Sequence, residues 1–168
     1  CVITLSFPLK QAEREWPALA DSAIPHPQFI SNETDNGDLE DDVTDDDDKP
    51  VVLIVEDNND IMTYIASIIG NEAHILYAQT GQTGLDKALT HIPDIIITDL
   101  MMPEMDGLEM CRLIRNNELS SHIPIIVITA KCSEEDKIEG IRAGANYYLY
   151  KPFNAQELCV TIESALTH

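Results

Sequence analysis

The sequence predicts an α/β protein built on a doubly wound parallel sheet. Five short apolar runs rich in β-branched residues alternate with stretches in which apolar residues recur three or four positions apart. Runs of the first kind are typical of strands buried on both faces, and spacing of the second kind is typical of amphipathic helices. The predicted strands are 51–55, 74–78, 94–98, 124–128 and 146–149.

Each predicted strand is followed by a helical pattern, and three helix starts carry capping residues. Thr80 precedes the second pattern, Ser133 stands three positions before Asp136, and Asn154 stands three before Glu157. Five such units with right-handed crossovers give a flavodoxin-like sheet of order 2-1-3-4-5 with helices on both faces. The apolar positions that mark the five helices are Ile61, Ile65, Ile68 and Ile69; Leu85, Ala88 and Leu89; Leu108, Cys111 and Ile114; Ile138 and Ile141; and Leu158, Ile162 and Leu166.

Three of the apolar runs end in charged residues, which a buried strand ordinarily avoids. Glu56 and Asp57 follow the first run, Asp99 follows the third and Lys151 follows the fifth. Thr129 closes the fourth run. In the predicted order strands 1, 3, 4 and 5 are neighbours, so their carboxyl ends meet at the edge where such sheets bind ligands. The sequence therefore predicts one charged pocket.

The composition of this pocket suits magnesium and phosphate. Two carboxylates about 4 Å apart repel each other by roughly 4 kcal/mol at an effective dielectric of about 20, so one binds a proton or a cation lies between them. Oxygen ligands open to water suit Mg²⁺ better than zinc. A carboxylate beside a cation, an ammonium and a hydroxyl can attack phosphorus. Ordinary explanations stay open: Asp57 as a helix cap, Thr129 as a strand-end hydroxyl and Lys151 as a solvated side chain.

Composition and charge argue against several functions. The net charge of −20 over 168 residues disfavours a nucleic-acid surface, which needs clustered Lys and Arg. No apolar run approaches the roughly 20 residues of a membrane-spanning helix, so we expect no membrane contact. The four cysteines form no C-x-x-C pair, which favours reduced thiols in a cytoplasm. Cys111 and Cys159 are predicted to fill the core, because they lie among helical apolar positions.

Acidic residues are densest in front of the predicted sheet. Residues 1–49 contain thirteen acids and three bases. Residues 10–50 lack periodic apolar spacing, and they are predicted to form an acidic, disordered linker. Residues 1–9 alternate in places like a strand but have nothing nearby to pair with. Because the chain begins at Cys1 rather than Met, we expect it to be a piece of a longer polypeptide, with 1–9 as the last strand of an upstream domain.

Residues 51–168 resemble the receiver domain of a two-component response regulator. The resemblance is carried by Glu56-Asp57, the block Asp99 to Gly107, Thr129-Ala130 and Lys151-Pro152-Phe153. It implies that Asp99 accepts a phosphoryl group from phosphohistidine. It also implies a set of Mg²⁺ ligands: Asp57, Asp99 and the backbone carbonyl of Met101 directly, and Glu56 through a water.

The same resemblance implies how the phosphoryl group is bound and sensed. Thr129 and Lys151 would bind the phosphoryl oxygens. Tyr148 would be the switch aromatic, which turns inward when Thr129 moves toward the phosphoryl group. The surface that responds would be the fourth helix, fifth strand and fifth helix, roughly 133–166. Pro152 fits a cis peptide after Lys151.

A second resemblance concerns the parent protein. Residues 1–9 followed by a linker and a receiver resemble the end of a histidine kinase ATP-binding domain in a hybrid sensor kinase. His122-Ile123-Pro124-Ile125 and Thr129-Ala130-Lys131 resemble hybrid sensors of Bacteroides-like bacteria. The implied partners are a phosphohistidine-bearing kinase domain, on the same polypeptide or its dimer mate, and a downstream output domain or protein. Homodimerisation is compatible with this resemblance, as are a cytoplasmic location and a parent anchored in the inner membrane.

Two other functions stay open at this point. The first is a phosphorylation-independent interaction module on the same fold, although the complete set of Asp57, Asp99, Thr129 and Lys151 argues against it. The second is a Mg²⁺-dependent phosphatase with an aspartyl nucleophile, which needs a carboxylate two positions after Asp99, where Met101 stands. As a receiver, the fragment would catalyse only its own phosphorylation and dephosphorylation. Met101 cannot orient a water at phosphorus, so we predict slow self-hydrolysis of the acyl phosphate.

Overall fold

The computed structural model describes residues 48–130 and 133–167. The predicted strand at 1–9 and all but the last three residues of the predicted linker at 10–50 lie outside the described residues, as does Lys131. No helix in the described ranges combines the length and apolar character needed to cross a bilayer.

Within the described residues, five strands and five α-helices alternate from Val51 to Leu166. All neighbouring strands pair in parallel, and the sheet order is β2-β1-β3-β4-β5, which confirms the predicted fold. The elements are β1 Val51–Val55, α1 Asn59–Ile69, a 3₁₀ turn Gly70–Glu72, β2 His74–Ala78, α2 Gly81–His91, β3 Ile95–Asp99, α3 Gly107–Asn116, β4 Ile125–Thr129, α4 Glu134–Ala143, β5 Tyr147–Tyr150 and α5 Ala155–Leu166.

The predicted starts of β3, β4 and β5 are wrong by one residue, because side chains or a proline replace the first ladder bonds. Asp94 Oδ2 accepts from the Val51 amide at 2.7 Å. Asn146 Oδ1 accepts from the Ile125 amide at 2.9 Å. Pro124 has no amide hydrogen to donate, although its carbonyl accepts from Ile96. β3 and β4 also extend one residue beyond their predicted ends, to Asp99 and Thr129, so the ladder includes these two residues.

The sheet is buried on both faces by two separate apolar clusters. Leu53 and Val55 of β1 face the cluster formed with α2 and α3, whereas Val52 and Ile54 face the cluster formed with α1 and α5. This alternation is the period of a strand, and it explains why β1 is a continuous apolar run. Burial raises the pKa of Cys111 to about 12, which confirms an unreactive core thiol.

The helix starts follow the predicted capping residues. The side chains of Thr80, Ser133 and Asn154 each accept from a backbone amide three residues on, and Asn154 forms a full capping box with Glu157. At α1 the cap is Asn58, whose Oδ1 accepts from the amides of the second and third residues after it at 2.9 and 3.3 Å. The alternative that Asp57 caps this helix is therefore wrong, and its carboxylate remains exposed at the sheet edge.

Candidate functional site

The carboxyl ends of β1, β3, β4 and β5 bring the singled-out residues to one edge of the sheet. Glu56 and Asp57 follow β1, Asp99 ends β3, Thr129 ends β4, and Lys151 follows β5. The Lys151 amide donates to the Thr129 carbonyl at 2.9 Å, which ties the last two ends together. The parallel register therefore places all five at the edge where a parallel sheet binds ligands.

Three carboxylates form a compact cluster at this edge. Glu56, Asp57 and Asp99 each present one oxygen, and these oxygens lie within 4.8 Å of one another. Glu56 and Asp99 are buried, with 1% and 6% of their surface exposed, whereas Asp57 is open to solvent. Burial of the carboxyl group, together with the charge of Asp99, raises the pKa of Glu56 to about 7 despite opposing hydrogen bonds from Asn58 and Lys151. The cluster therefore favours binding a cation or a proton.

The Lys151 side chain contacts two of the three acids. Its Nζ is 3.0 Å from Asp99 Oδ2 and 3.2 Å from Glu56 Oε2. Burial acts to lower the pKa of Lys151, but the hydrogen bond to Asp99 and the attraction of both carboxylates raise it overall. The ammonium is thus fixed as a cation beside the Asp99 carboxylate. The peptide bond between Lys151 and Pro152 is cis, as the sequence resemblance implies.

The backbone holds Asp99 in place from its other side. The Met101 amide donates to Asp99 Oδ1 at 3.3 Å, so each carboxylate oxygen of Asp99 has a donor. The Thr98 hydroxyl donates to the Asp99 carbonyl at 3.0 Å. A side chain at residue 107 would overlap that same carbonyl oxygen. The start of α3 can therefore approach the Asp99 backbone this closely only because residue 107 is glycine. The Met101 side chain is 55% exposed beside the site.

Thr129 and Tyr148 occupy neighbouring strands near this edge. Thr129 is 1% exposed at the end of β4. Tyr148 pairs with Val127 of β4, and its hydroxyl is buried against Gly140 of α4. The ring of Tyr148 packs on the apolar cluster that β1 shares with α2 and α3. Tyr148 therefore lies between the strand that ends in Thr129 and the helix that follows it.

Two residues that support the site are missed by the sequence interpretation. Asn58 donates its amide to Glu56 Oε1 at 3.2 Å while its side chain caps α1, so it orients the buried acid. Thr98 is completely buried next to Asp99. An Asn directly before a helical pattern is a recognisable cap signal. The role of Thr98 has no such signal, because a threonine in an apolar strand reads simply as a strand former.

The raised pKa of Glu56 predicts a specific dependence of stability on pH in the metal-free protein. Between about pH 4.5 and about 7 the folded protein keeps a proton that the unfolded chain has released. The free energy of unfolding should therefore fall as the pH rises through this interval. Urea unfolding in EDTA across this range measures the slope, and Glu56→Gln should flatten it. An unchanged slope in Glu56→Gln would show that Glu56 does not carry the effect.

Comparison with known proteins identifies the family of this domain. The response regulator receiver domain family matches residues 52–163, a span that contains all the pocket residues and the whole sheet except Val51. This chain belongs to that family. A receiver domain works in two-component signalling with histidine kinases and output domains, and the phosphorelay role is consistent with the acidic cluster at the sheet edge.

Individual relatives of this receiver domain occur both in kinases and in response regulators. Histidine kinase P4 of Formosa agariphila is 36% identical over 111 residues, which cover 66% of this chain and 8% of the kinase. Response regulator ArlR of Staphylococcus aureus is 50% identical over 86 residues, which cover 51% of this chain and 38% of ArlR. The chain thus spans only a small part of these curated relatives.

A solved receiver domain resembles this one in both fold and sequence. The receiver domain of sensor histidine kinase PA1611 from Pseudomonas aeruginosa is 29% identical, with a TM-score of 0.67, and the match covers 71% of this chain and 99% of that one. Its crystal structure has a magnesium ion coordinated in the active site cleft.

Proposed function

We propose that this receiver domain is the phosphoacceptor of a two-component phosphorelay and that Asp99 takes the phosphoryl group from phosphohistidine. The observation that carries the proposal is the convergence of opposite charges on Asp99. Oxygens of two further carboxylates lie within 4.8 Å of an oxygen of Asp99, and the Lys151 ammonium lies 3.0 Å from Asp99 Oδ2. This combination of clustered acids and an ammonium suits a nucleophile with a metal and a phosphate donor set better than a structural ion pair.

The donor set of the acidic cluster fits Mg²⁺. Asp57, Asp99 and the Met101 carbonyl would hold the ion directly, and Glu56 would hold it through a water. Hard oxygen donors with one solvent-open side are what this ion prefers, and among the described residues the three clustered carboxylates outnumber the Lys151 ammonium that contacts them. When bound, Mg²⁺ would offset the charge of these carboxylates and draw a phosphoryl oxygen toward Asp99.

Different residues of this chain have different roles in the phosphoryl transfer. A carboxylate oxygen of Asp99 attacks phosphorus, the new O–P bond forms, and the P–N bond of the donor breaks with its electron pair returning to the imidazole nitrogen. The Lys151 ammonium and the Thr129 hydroxyl bind the oxygens of the transferred group. The Met101 amide, which already contacts Asp99, keeps the carboxylate oriented throughout.

The proposed output surface is the face formed by α4, β5 and α5. Tyr148 links this face to the site, because it lies on β5 beside the strand that ends in Thr129. Ile138 and Ile141 of α4 and Val160 of α5 are large apolar side chains with 47%, 58% and 49% of their surface exposed. Exposed apolar groups on both of these helices support a partner surface for an output domain or a second copy of the chain.

The proposed setting is a hybrid sensor kinase acting in the cytoplasm. The domain division is 1–9 as the end of an upstream ATP-binding domain, 10–50 as an acidic linker and 51–168 as the receiver. The similarity to a histidine kinase over only 8% of its length supports a receiver carried by a larger polypeptide. In this setting the phosphohistidine comes from the kinase core of the same chain or of its dimer mate, with neither nucleic acid nor membrane contacting this fragment.

Labelling with acetyl phosphate tests the proposed function. The full chain incubated with acetyl phosphate and Mg²⁺ should gain the mass of one phosphoryl group, and hydroxylamine should remove it, as it removes acyl phosphates. EDTA should prevent the gain. If the chain neither gains this mass nor binds Mg²⁺ in a calorimetric titration, the phosphoacceptor assignment is wrong and a phosphorylation-independent interaction module replaces it.

The exposed apolar side chain of Met101 predicts a long-lived phosphorylated state. Replacing it with asparagine should place a hydrogen-bonding group beside the acyl phosphate, where it can orient an attacking water. One such hydrogen bond is worth about 1.4 kcal/mol at most, so we expect Met101→Asn to hasten loss of the label by up to about ten-fold. Met101→Leu is the matched control and should leave the decay slow. A rapid decay in the unmodified protein that Met101→Asn does not change would contradict this prediction.

A further inference from the structure

Helix α4 contains a glycine at a position where the backbone does not need one. Gly140 lies within the helix Glu134–Ala143, well before the left-handed cap at Gly144. Glycine inside a helix lowers the helix-forming equilibrium constant by about five-fold relative to alanine. Local structure therefore offers no reason for Gly140, and the reason must lie in what packs against it.

Gly140 packs against the side chain of Tyr148. A methyl group added at residue 140 would overlap the phenol oxygen of Tyr148 and the ring carbon that bears it. Gly140 is itself buried, and the ring packs on the core from the other side. The missing side chain at residue 140 thus leaves a notch in α4, and the end of the Tyr148 ring fills it.

The fit of the ring in this notch depends on shape and not on hydrogen bonding. The Tyr148 hydroxyl is buried, and it has no hydrogen-bond partner among residues 48–130 and 133–167. Burial raises the pKa of Tyr148 to about 12, in keeping with a phenol removed from water. Burying a hydroxyl without a hydrogen-bond partner costs free energy. The packing of the ring in the notch must therefore outweigh that cost. Small changes in the notch should therefore move the ring.

We propose that Gly140 is a positioning residue for the switch, because its notch receives the Tyr148 ring in the inward position. A larger residue at 140 turns the ring outward and separates the phosphorylation site from the α4–β5–α5 face. This inference rests on the proposed function, in which Tyr148 is the switch aromatic. Its first two tests use the unphosphorylated protein, so they do not depend on whether Asp99 accepts a phosphoryl group.

The position of the ring can be measured directly by fluorine NMR. In the full chain labelled with 3-fluorotyrosine, the Tyr148 signal is the one that disappears in Tyr148→Phe. A soluble paramagnetic probe should broaden this signal less in the unmodified protein than in Gly140→Ala. Ile141→Ala, an exposed change on the same helix, is the matched control and should leave the signal as it is in the unmodified protein. A Tyr148 signal that stays protected in Gly140→Ala overturns the proposal.

A double-mutant cycle separates the clash from the general effect of alanine on a helix. In a Tyr148→Ala background the notch is empty, so Gly140→Ala should raise the folding equilibrium constant by about five-fold. In the unmodified background the same change should lower it. If Gly140→Ala alone fails to fold, recovery of folding in the double variant supports the proposal. Failure of both to fold, or effects of equal sign in both backgrounds, overturns it.

The coupling to phosphorylation is tested with beryllofluoride, an analogue of the phosphoryl group. With Mg²⁺ it should shift amide NMR signals at the strand ends and on the α4–β5–α5 face of the unmodified protein. In Gly140→Ala the shifts at the strand ends should persist and those on the face should be lost. Shifts on the face that persist in Gly140→Ala overturn the proposal. If the unmodified protein shows no shift at all, the proposed function fails instead, and the ring position in the fluorine experiment still decides the role of Gly140.

Discussion

Replacing Asp99 with asparagine should abolish phosphorylation of the chain by acetyl phosphate and Mg²⁺. The amide has nearly the size of the carboxylate but no negative oxygen to attack phosphorus. It also removes the anion that Lys151 contacts at 3.0 Å. Intact mass measured after incubation should show no gain in Asp99→Asn. We expect labelling to fall by at least about a hundred-fold, because an enzyme that loses its nucleophile can lose about a million-fold in rate.

A matched variant separates the loss of the nucleophile from a general effect of removing an acid. Asp86 lies on the exposed side of α2, where its Oδ1 accepts from Gln82 at 3.1 Å. Asp86→Asn should be labelled like the unmodified protein. Circular dichroism should show that both variants keep the fold. Labelling that persists in Asp99→Asn would remove Asp99 from the role of phosphoacceptor.

Replacing Arg115 with methionine should cause one of the largest losses of stability among single changes. The Arg115 guanidinium lies at the sheet edge opposite the acidic cluster, and it donates to four oxygens at 2.7–3.0 Å. The acceptors are the carbonyls of Gly144, Ser121 and Ile123 and the side chain of Asn146. Burial lowers the pKa of Arg115, yet the group remains charged. Charge-assisted bonds to partly buried carbonyls support a loss of about 3 kcal/mol in the free energy of unfolding.

Arg112 provides the matched control on the same helix. It forms a salt bridge with Glu139 at 3.2 Å, and the two side chains are 51% and 57% exposed. An exposed pair of this kind contributes less than about 1 kcal/mol, so Arg112→Met should change stability little. Urea unfolding followed by circular dichroism measures both variants. Equal losses for Arg115→Met and Arg112→Met would show that the four hydrogen bonds of Arg115 are not what stabilises this edge.

The fold was predictable because its evidence is local and repeated. Each strand is a short apolar run, and each helix has apolar residues three or four positions apart. Ser133 and Asn154 mark helix starts by their capping patterns. The boundaries were less predictable, because they depend on side chains that replace ladder bonds. Asp94 and Asn146 do so from positions that look like ordinary turn residues in the sequence.

The candidate site was predictable in composition but not in its supports. Charges at the ends of apolar runs show which residues converge, because parallel strands bring their carboxyl ends to one edge. The contacts that hold those residues come from distant parts of the chain. The Lys151 ammonium, for example, donates to Glu56, which lies 95 positions earlier in the sequence. The notch at Gly140 likewise needs the placement of β5 against α4, which no local pattern of α4 predicts.

The most direct measurement of the central claim is the position of the phosphoryl group on the chain. Borohydride reduces an aspartyl phosphate to homoserine, which is stable and can be located by peptide mass spectrometry. After incubation with acetyl phosphate and Mg²⁺ and reduction, the account predicts homoserine at position 99. Homoserine at position 57 or at another aspartate, or the longer alcohol that a glutamyl phosphate gives, with Asp99 unmodified, would contradict it.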